Sequence, residues 1–256
     1  MHNIFSTVLV AVALSVSASA AIANEKASEG RAIDARVVKV KLGGVVNLKL
    51  KQGPAATLVI IGDQRDVANV SVTQTGDTLT IDTEKTSWNF GRGDRREVRA
   101  ELTLPNLNEL VSTGVGATDI QGFTGNEVRL SLDGAGSVNV NSNYRNVVAR
   151  LGGVGSMTLN AGNSDQVDLK LRGAGHIAIN GNSKLLRASL GGVGSLDARK
   201  LQADAVELDM SGLGGATVYA KTSANLKLSG LGSATVYGKP GNRVADSRGL
   251  GSVSWQ

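Results

Sequence analysis

The chain has 256 residues, with 27 Lys and Arg against 22 Asp and Glu, so its formal charge of +5 is spread thinly. Cysteine is absent, which excludes a disulfide scaffold, thiolate metal sites and a cysteine nucleophile. Glycine accounts for 33 residues and aromatic residues for only 3%, while 41% hydrophobic content is enough to bury a core and too much for disorder by composition.

In chain order, residues 4–23 come first, an apolar run ending in the small-residue sequence Ala21-Ile22-Ala23. This pattern predicts a signal peptide over 1–23 and cleavage before Asn24. No later run approaches the ~20 apolar residues of a membrane helix, so the mature chain is expected to carry no transmembrane segment. The expected address is the periplasm or cell surface of a Gram-negative-type bacterium. Residues 24–33 read as a short linker, and 34–256 as a single β-solenoid.

Between 34 and 104 the residues alternate in the period of two that marks strands, at 37–42, 45–50, 57–62, 70–83 and 98–104. This part predicts irregular coils or a capping sheet, since a solenoid end must cover its strand edges. The polar segment 85–97 predicts a protruding loop. It carries Trp88 and Phe90 among Arg92, Arg95 and Arg96, a combination suited to an anionic surface. Arg92-Gly93-Asp94 within it spells a tripeptide that a chain of this composition produces by chance about once in ten.

From 105 onward the sequence repeats. The motif G-x-G recurs with first glycines at Gly114, Gly134, Gly153, Gly173, Gly192, Gly212, Gly230 and Gly249, at intervals of 20, 19, 20, 19, 20, 18 and 19. Apolar alternation flanks each motif, as in Val128, Leu130 and Leu132 before it and Val138 and Val140 after it. A coil this short cannot hold a βα crossover, which takes about 30 residues. The fold class is therefore all-β, a parallel β-helix with ~19-residue coils and a less regular N-terminal part. Two glycines per coil suit corners that need φ > 0 or a close approach of backbones. A ladder of Gln121, Asn141, Asn160, Asn180, Arg199, Tyr219, Tyr237 and Gln256 follows the last apolar position of each coil and is expected to stack.

The alternating N-terminal part, followed by coils such as STGVGATDI (112–120) and SGLGSATVY (229–237), resembles the "putative autotransporter adhesin, head GIN domain" family over roughly residues 34–256. The resemblance implies an exported, right-handed β-solenoid of bacteria with an adhesin role and no catalytic residues to carry over. With Trp255-Gln256 falling inside the last coil, no C-terminal membrane barrel is expected.

Catalytic and metal chemistry are poorly provided for, and no cofactor is expected. His176 stands in a turn slot that is Ser156 and Ser195 in neighbouring coils. A nonapeptide calcium roll needs Asp where Met157 and Leu196 stand. For glycan hydrolysis, which uses paired carboxylates in a cleft, Glu207 and Asp209 are the best adjacent pair. Binding surfaces are better supplied. Tyr219 and Tyr237 match in adjacent coils, with Lys221 and Lys239 two residues beyond, as a shelf for a sugar ring or acidic glycan. The outward ladder Ser131, Arg150, Lys170, Ser189, Asp209, Lys227 changes sign along its length, which argues against nucleic acid. The reading is an exported, non-enzymatic binding module or adhesin, whose partner is a glycan, an anionic envelope component or a protein. The alternatives are a periplasmic housekeeping protein that binds cell wall or lipid head groups, and a glycan-active enzyme.

Overall fold

The computed structural model describes residues 26–83 and 98–256. The signal-peptide segment lies outside the described residues, as do Trp88, Phe90, Arg92, Arg95, Arg96 and the Arg92-Gly93-Asp94 tripeptide.

The N-terminal part holds β1 (Lys26–Arg31), β2 (Lys39–Leu42), β3 (Asn47–Gln52), β4 (Thr57–Asp63), a short helix α1 (Gln64–Ala68), β5 (Val70–Thr75), β6 (Thr78–Thr83), β7 (Arg99–Leu104) and β8 (Glu109–Ser112). The regular coils follow as β9 (Val115–Leu132), β10 (Ala135–Leu151), β11 (Val154–Leu171), β12 (Ala174–Leu190), β13 (Val193–Met210) and β14 (Leu213–Leu228). The stack ends in β15 (Ser233–Tyr237), β16 (Asn242–Ser247) and β17 (Ser252–Trp255). All of these strands belong to one sheet wound into a solenoid of about seven turns.

Each regular strand spans a whole coil and pairs in parallel with the next. Val138 lies beside Met157, which lies beside Ile177 and then Leu196; Leu132, Leu151, Leu171, Leu190 and Met210 form another column. These inward residues are buried throughout. Alternation dictates this outcome, because a period-two strand can bury only every second side chain. The fully buried Leu169 and the exposed Lys170 are adjacent in the chain and face opposite ways.

Close approach explains both glycines of each pair, and backbone conformation adds to it at the second. A Cβ on Gly153 would fall on the carbonyl oxygen of Gly134, and one on Gly155 on that of Gly136. The first glycine of each motif has no positive φ, whereas the second often does, as at Gly155 with φ 150°, a conformation that residues with a Cβ rarely adopt. A left-handed helical φ of about 60° occurs at Gly44, Gly76 and Gly162; Gly76 sits in the two-residue hairpin between the antiparallel β5 and β6, where a Cβ would meet open space.

The N-terminal part contains both partial coils and a cap. β2 stacks in parallel between β6 and β8, and β3 between β7 and β9. Beyond them, β4 runs antiparallel to β7 and to β1, and β5 antiparallel to β6, so antiparallel strands cover this end. β1 lies within the segment 24–33 read as linker, and α1 interrupts the run of strands without any periodic signal in the sequence. At the other end, three columns that are apolar in earlier coils finish in Arg243, Ala245 and Ser247. The Arg243 guanidinium lies over the Trp255 ring, 5.4 Å from its centroid. An inward-pointing charge of this kind blunts an exposed strand edge.

Candidate functional site

Three outward features run along the regular coils. The first is a groove of about 580 Å³ that crosses the coils on the face built by the C-terminal halves of β10 to β14. Two in-register columns line it. One is Arg129, Val148, Asp168, Arg187, Glu207 and Asn225; the other is Arg150, Lys170, Ser189, Asp209 and Lys227, with Ser131 next in the same column beyond the groove. The second column is the outward ladder expected from alternation. Its continuation holds a smaller concavity of about 330 Å³, lined by Ser131, Asp133, Arg150, Lys170 and the corner residue Arg172.

The charges along the groove are unevenly matched. Arg187 donates from Nε to Glu207 at 2.8 Å, and this bond, reinforced by the charge attraction, raises the guanidinium pKa above its ordinary value. Arg129 pairs with Glu127, and Asp168 accepts from Gln166 at 2.8 Å. Ser131 donates to Asp133 at 2.8 Å. Among the described residues, the side chains of Arg150, Lys170 and Arg172 have no hydrogen-bond or ion-pair partner. Glu207 and Asp209, the carboxylate pair considered for hydrolysis, both line the groove, and Glu207 is engaged by Arg187.

The second feature is the tyrosine shelf. Tyr219 and Tyr237 lie side by side in register, as expected. Tyr219 is half-buried against Gly238, where an added Cβ would stand 3.0 Å from its Cζ, and Tyr237 is the more exposed of the two. Lys221 turns to Asp204 at 3.4 Å, and Lys239 is exposed with φ 51°. Arg199 does not continue the ladder, because the register shifts after Ala178 and sets Lys200 beside Asn180. Arg199 instead bonds Asp197 at 2.6 Å and holds that carboxyl below the usual carboxylate range. The Asn ladder is partly made: Asn160 donates to Asn141 at 3.1 Å, and Asn182 donates to Asn163 at 2.9 Å in a second ladder that the repeat did not reveal.

The third feature escaped the sequence reading although the motif spells it out. The residue between the two glycines faces solvent in every coil, and it is apolar each time: Val115, Ala135, Val154, Ala174, Val193, Leu213, Leu231 and Leu250. The first six stack in register and form a narrow ridge between two glycine columns.

Stacking also brings His176 Nδ1 to 2.8 Å from Ser195 Oγ on an exposed surface. The imidazole makes no other hydrogen bond among the described residues, so nothing orients it as a catalytic base must be oriented. Those residues also hold no cluster of three or more His, Asp or Glu that could bind a metal ion, and no helix long and apolar enough to cross a membrane.

The family model described as "putative auto-transporter adhesin, head GIN domain" matches residues 38–240. The chain belongs to this family. No curated protein matches it. Among solved structures, a putative adhesin from Parabacteroides distasonis is similar with a TM-score of 0.82 and 19% identity, over 91% of this chain and 98% of that one. A putative adhesin from Bacteroides fragilis gives 0.67 and 22% over the same shares. A putative lipid binding protein from Parabacteroides distasonis gives 0.70 and 19%, over 90% of this chain and 96% of that one. At these identities the likeness is one of fold.

Proposed function

We propose that the protein is an exported, non-catalytic binding protein of the adhesin type, displayed at the cell surface, and that the groove across β10 to β14 is its main binding face. The observation that carries this reading is the groove itself. It is a concavity of about 580 Å³, within the range of ligand sites, on a sheet that neighbouring coils hold rigid. It exposes cations, carboxylates and an amide from successive coils, so an extended partner can lie along it. The tyrosine shelf with Lys221 and Lys239, on another stretch of each coil, supplies a second contact. Family membership supports the adhesin class and the export that goes with it.

A second reading, an envelope protein that holds lipid inside the periplasm, has the exposed ridge in its favour, together with the fold it shares with a putative lipid binding protein. Protease treatment of intact cells carrying the tagged protein separates the two. Surface display predicts digestion on intact cells. Protection until the outer membrane is opened would overturn it and leave the periplasmic reading.

A further inference from the structure

Resting on the groove as the binding face, we infer that Arg150, Lys170 and Arg172 form a cradle for the acid groups of an acidic polysaccharide. Arg150 and Lys170 occupy the same position in adjacent coils, so stacking holds their backbones ~4.8 Å apart. Like charges placed side by side across strands repel. Elsewhere on the surface several exposed cations are paired with a carboxylate. Arg129 has Glu127 two residues away, Arg199 has Asp197 and Arg248 has Asp246. The cations of the cradle have no such partner among the described residues. Position 148 is Val and position 152 is Gly, while the carboxylates nearby, Asp168 and Asp133, accept from Gln166 and Ser131 and form no ion pair with these cations. Arg172 at the coil corner adds a third cation beside the same concavity of about 330 Å³. Three exposed cations, none of them in an ion pair, share the hollow with the single carboxylate of Asp133, and this excess of positive charge is arranged for an anion from outside the chain.

The surroundings narrow the class of ligand. A nucleic acid or an anionic membrane favours one sign of charge over a broad surface. This groove instead continues from the cradle into carboxylates, an amide and a hydroxyl, at Asp168, Asp209, Asn225 and Ser189. Those groups suit the hydroxyls of sugar rings, while the cradle suits their acid substituents. The coil step is close to the advance of one pyranose residue along its polymer, so successive sugars can meet successive coils.

The test is binding of the purified protein to polygalacturonate, dextran sulfate and neutral dextran, with duplex DNA and phosphatidylglycerol vesicles alongside. The expected result is that the acidic glycans bind and dextran does not. The combined variant Arg150→Gln/Lys170→Gln/Arg172→Gln should lose at least tenfold in affinity with an unchanged melting temperature. Lys200→Gln, on another face, should bind as the parent does. Ser189→Trp, which fills the groove, should abolish binding of any groove ligand. Equal binding of dextran, lost in Ser189→Trp, would overturn acid recognition while leaving the groove reading intact. Acidic binding that survives both the combined variant and Ser189→Trp would overturn both. Equal, salt-sensitive binding of DNA or vesicles would overturn the glycan assignment, and so would failure of every acidic glycan to bind.

Discussion

From β9 to β14 each coil lies beside its neighbours in the chain, whereas before β9 the stacking order departs from chain order. There β2 and β3 are threaded between strands that come later, β6 and β8 on one face and β7 and β9 on the other. The interior is apolar in both regions and forms one core. The difference lies in how neighbours are chosen. In the regular coils each residue meets the one at the same place in the next repeat, and from Gly134 onward each glycine pair packs against the pair before it. In the N-terminal part Gly43 meets the side chain of Asp82, and the two-residue turn at Gly76 closes an antiparallel hairpin, so unlike elements meet once each. Repetition specifies register by itself; without it, register depends on individual contacts that occur nowhere else in the chain.

The strongest way to break this comparison is a charge in a repeated interior column. Leu169→Asp should cost about 4 kcal/mol or more, because it buries an unpaired carboxylate, while Lys170→Asp should leave the denaturation midpoint almost unchanged. Equal behaviour of the two would refute the alternation. Glycine offers a finer contrast. Gly155→Ala should cost roughly 3 kcal/mol, since its Cβ meets the Gly136 carbonyl at a φ that already disfavours a side chain, whereas Gly76→Ala should cost only about 1 kcal/mol, for backbone conformation alone. Equal costs in thermal melts of the two variants would refute the close approach of backbones in the regular coils.

Where the two regions meet, Thr118 stands beside Leu48 in an interior column, and its hydroxyl is buried without a partner. Thr118→Val should raise stability by about 1 kcal/mol in urea unfolding. The smallest effect is electrostatic and falls on both regions. Asp34, Asp77, Asp165 and Asp197 are held below the usual carboxylate range by bonds from Arg36, Lys39, Lys184 and Arg199. Their stabilisation is complete above the unfolded carboxylate pKa and disappears as pH falls through their lowered folded values. The melting temperature should therefore show no loss from these groups between pH 7 and about pH 4, and decline below that.

Legibility in the sequence follows the same division. The strands at 37–42, 45–50, 57–62, 70–83 and 98–104 are recognisable from alternation, because burial of one face demands it wherever a strand lies. Their neighbours are not, since threading β2 between β6 and β8 leaves no mark on any of them alone. In the repeat, both inward and outward columns can be read directly, including the one that carries Arg150 and Lys170. Arg172 is less visible, since it lies at a corner where alternation stops, and the groove is a property of stacked coils that no single repeat encodes. The ridge of Val115, Val154, Val193 and Leu213 shows a different limit. Its residues are apolar at a fixed period, yet they are exposed, and periodicity alone does not tell a buried column from an exposed one.

The central claim is that stacking of repeats assembles the binding face, and the absence of native cysteine allows it to be tested directly. Spin labels on Arg150→Cys/Lys170→Cys should show strong spin–spin coupling, as expected of in-register neighbours in adjacent coils. Uncoupled spectra, indistinguishable from the sum of the two single variants, would contradict the register and with it the cradle and the groove.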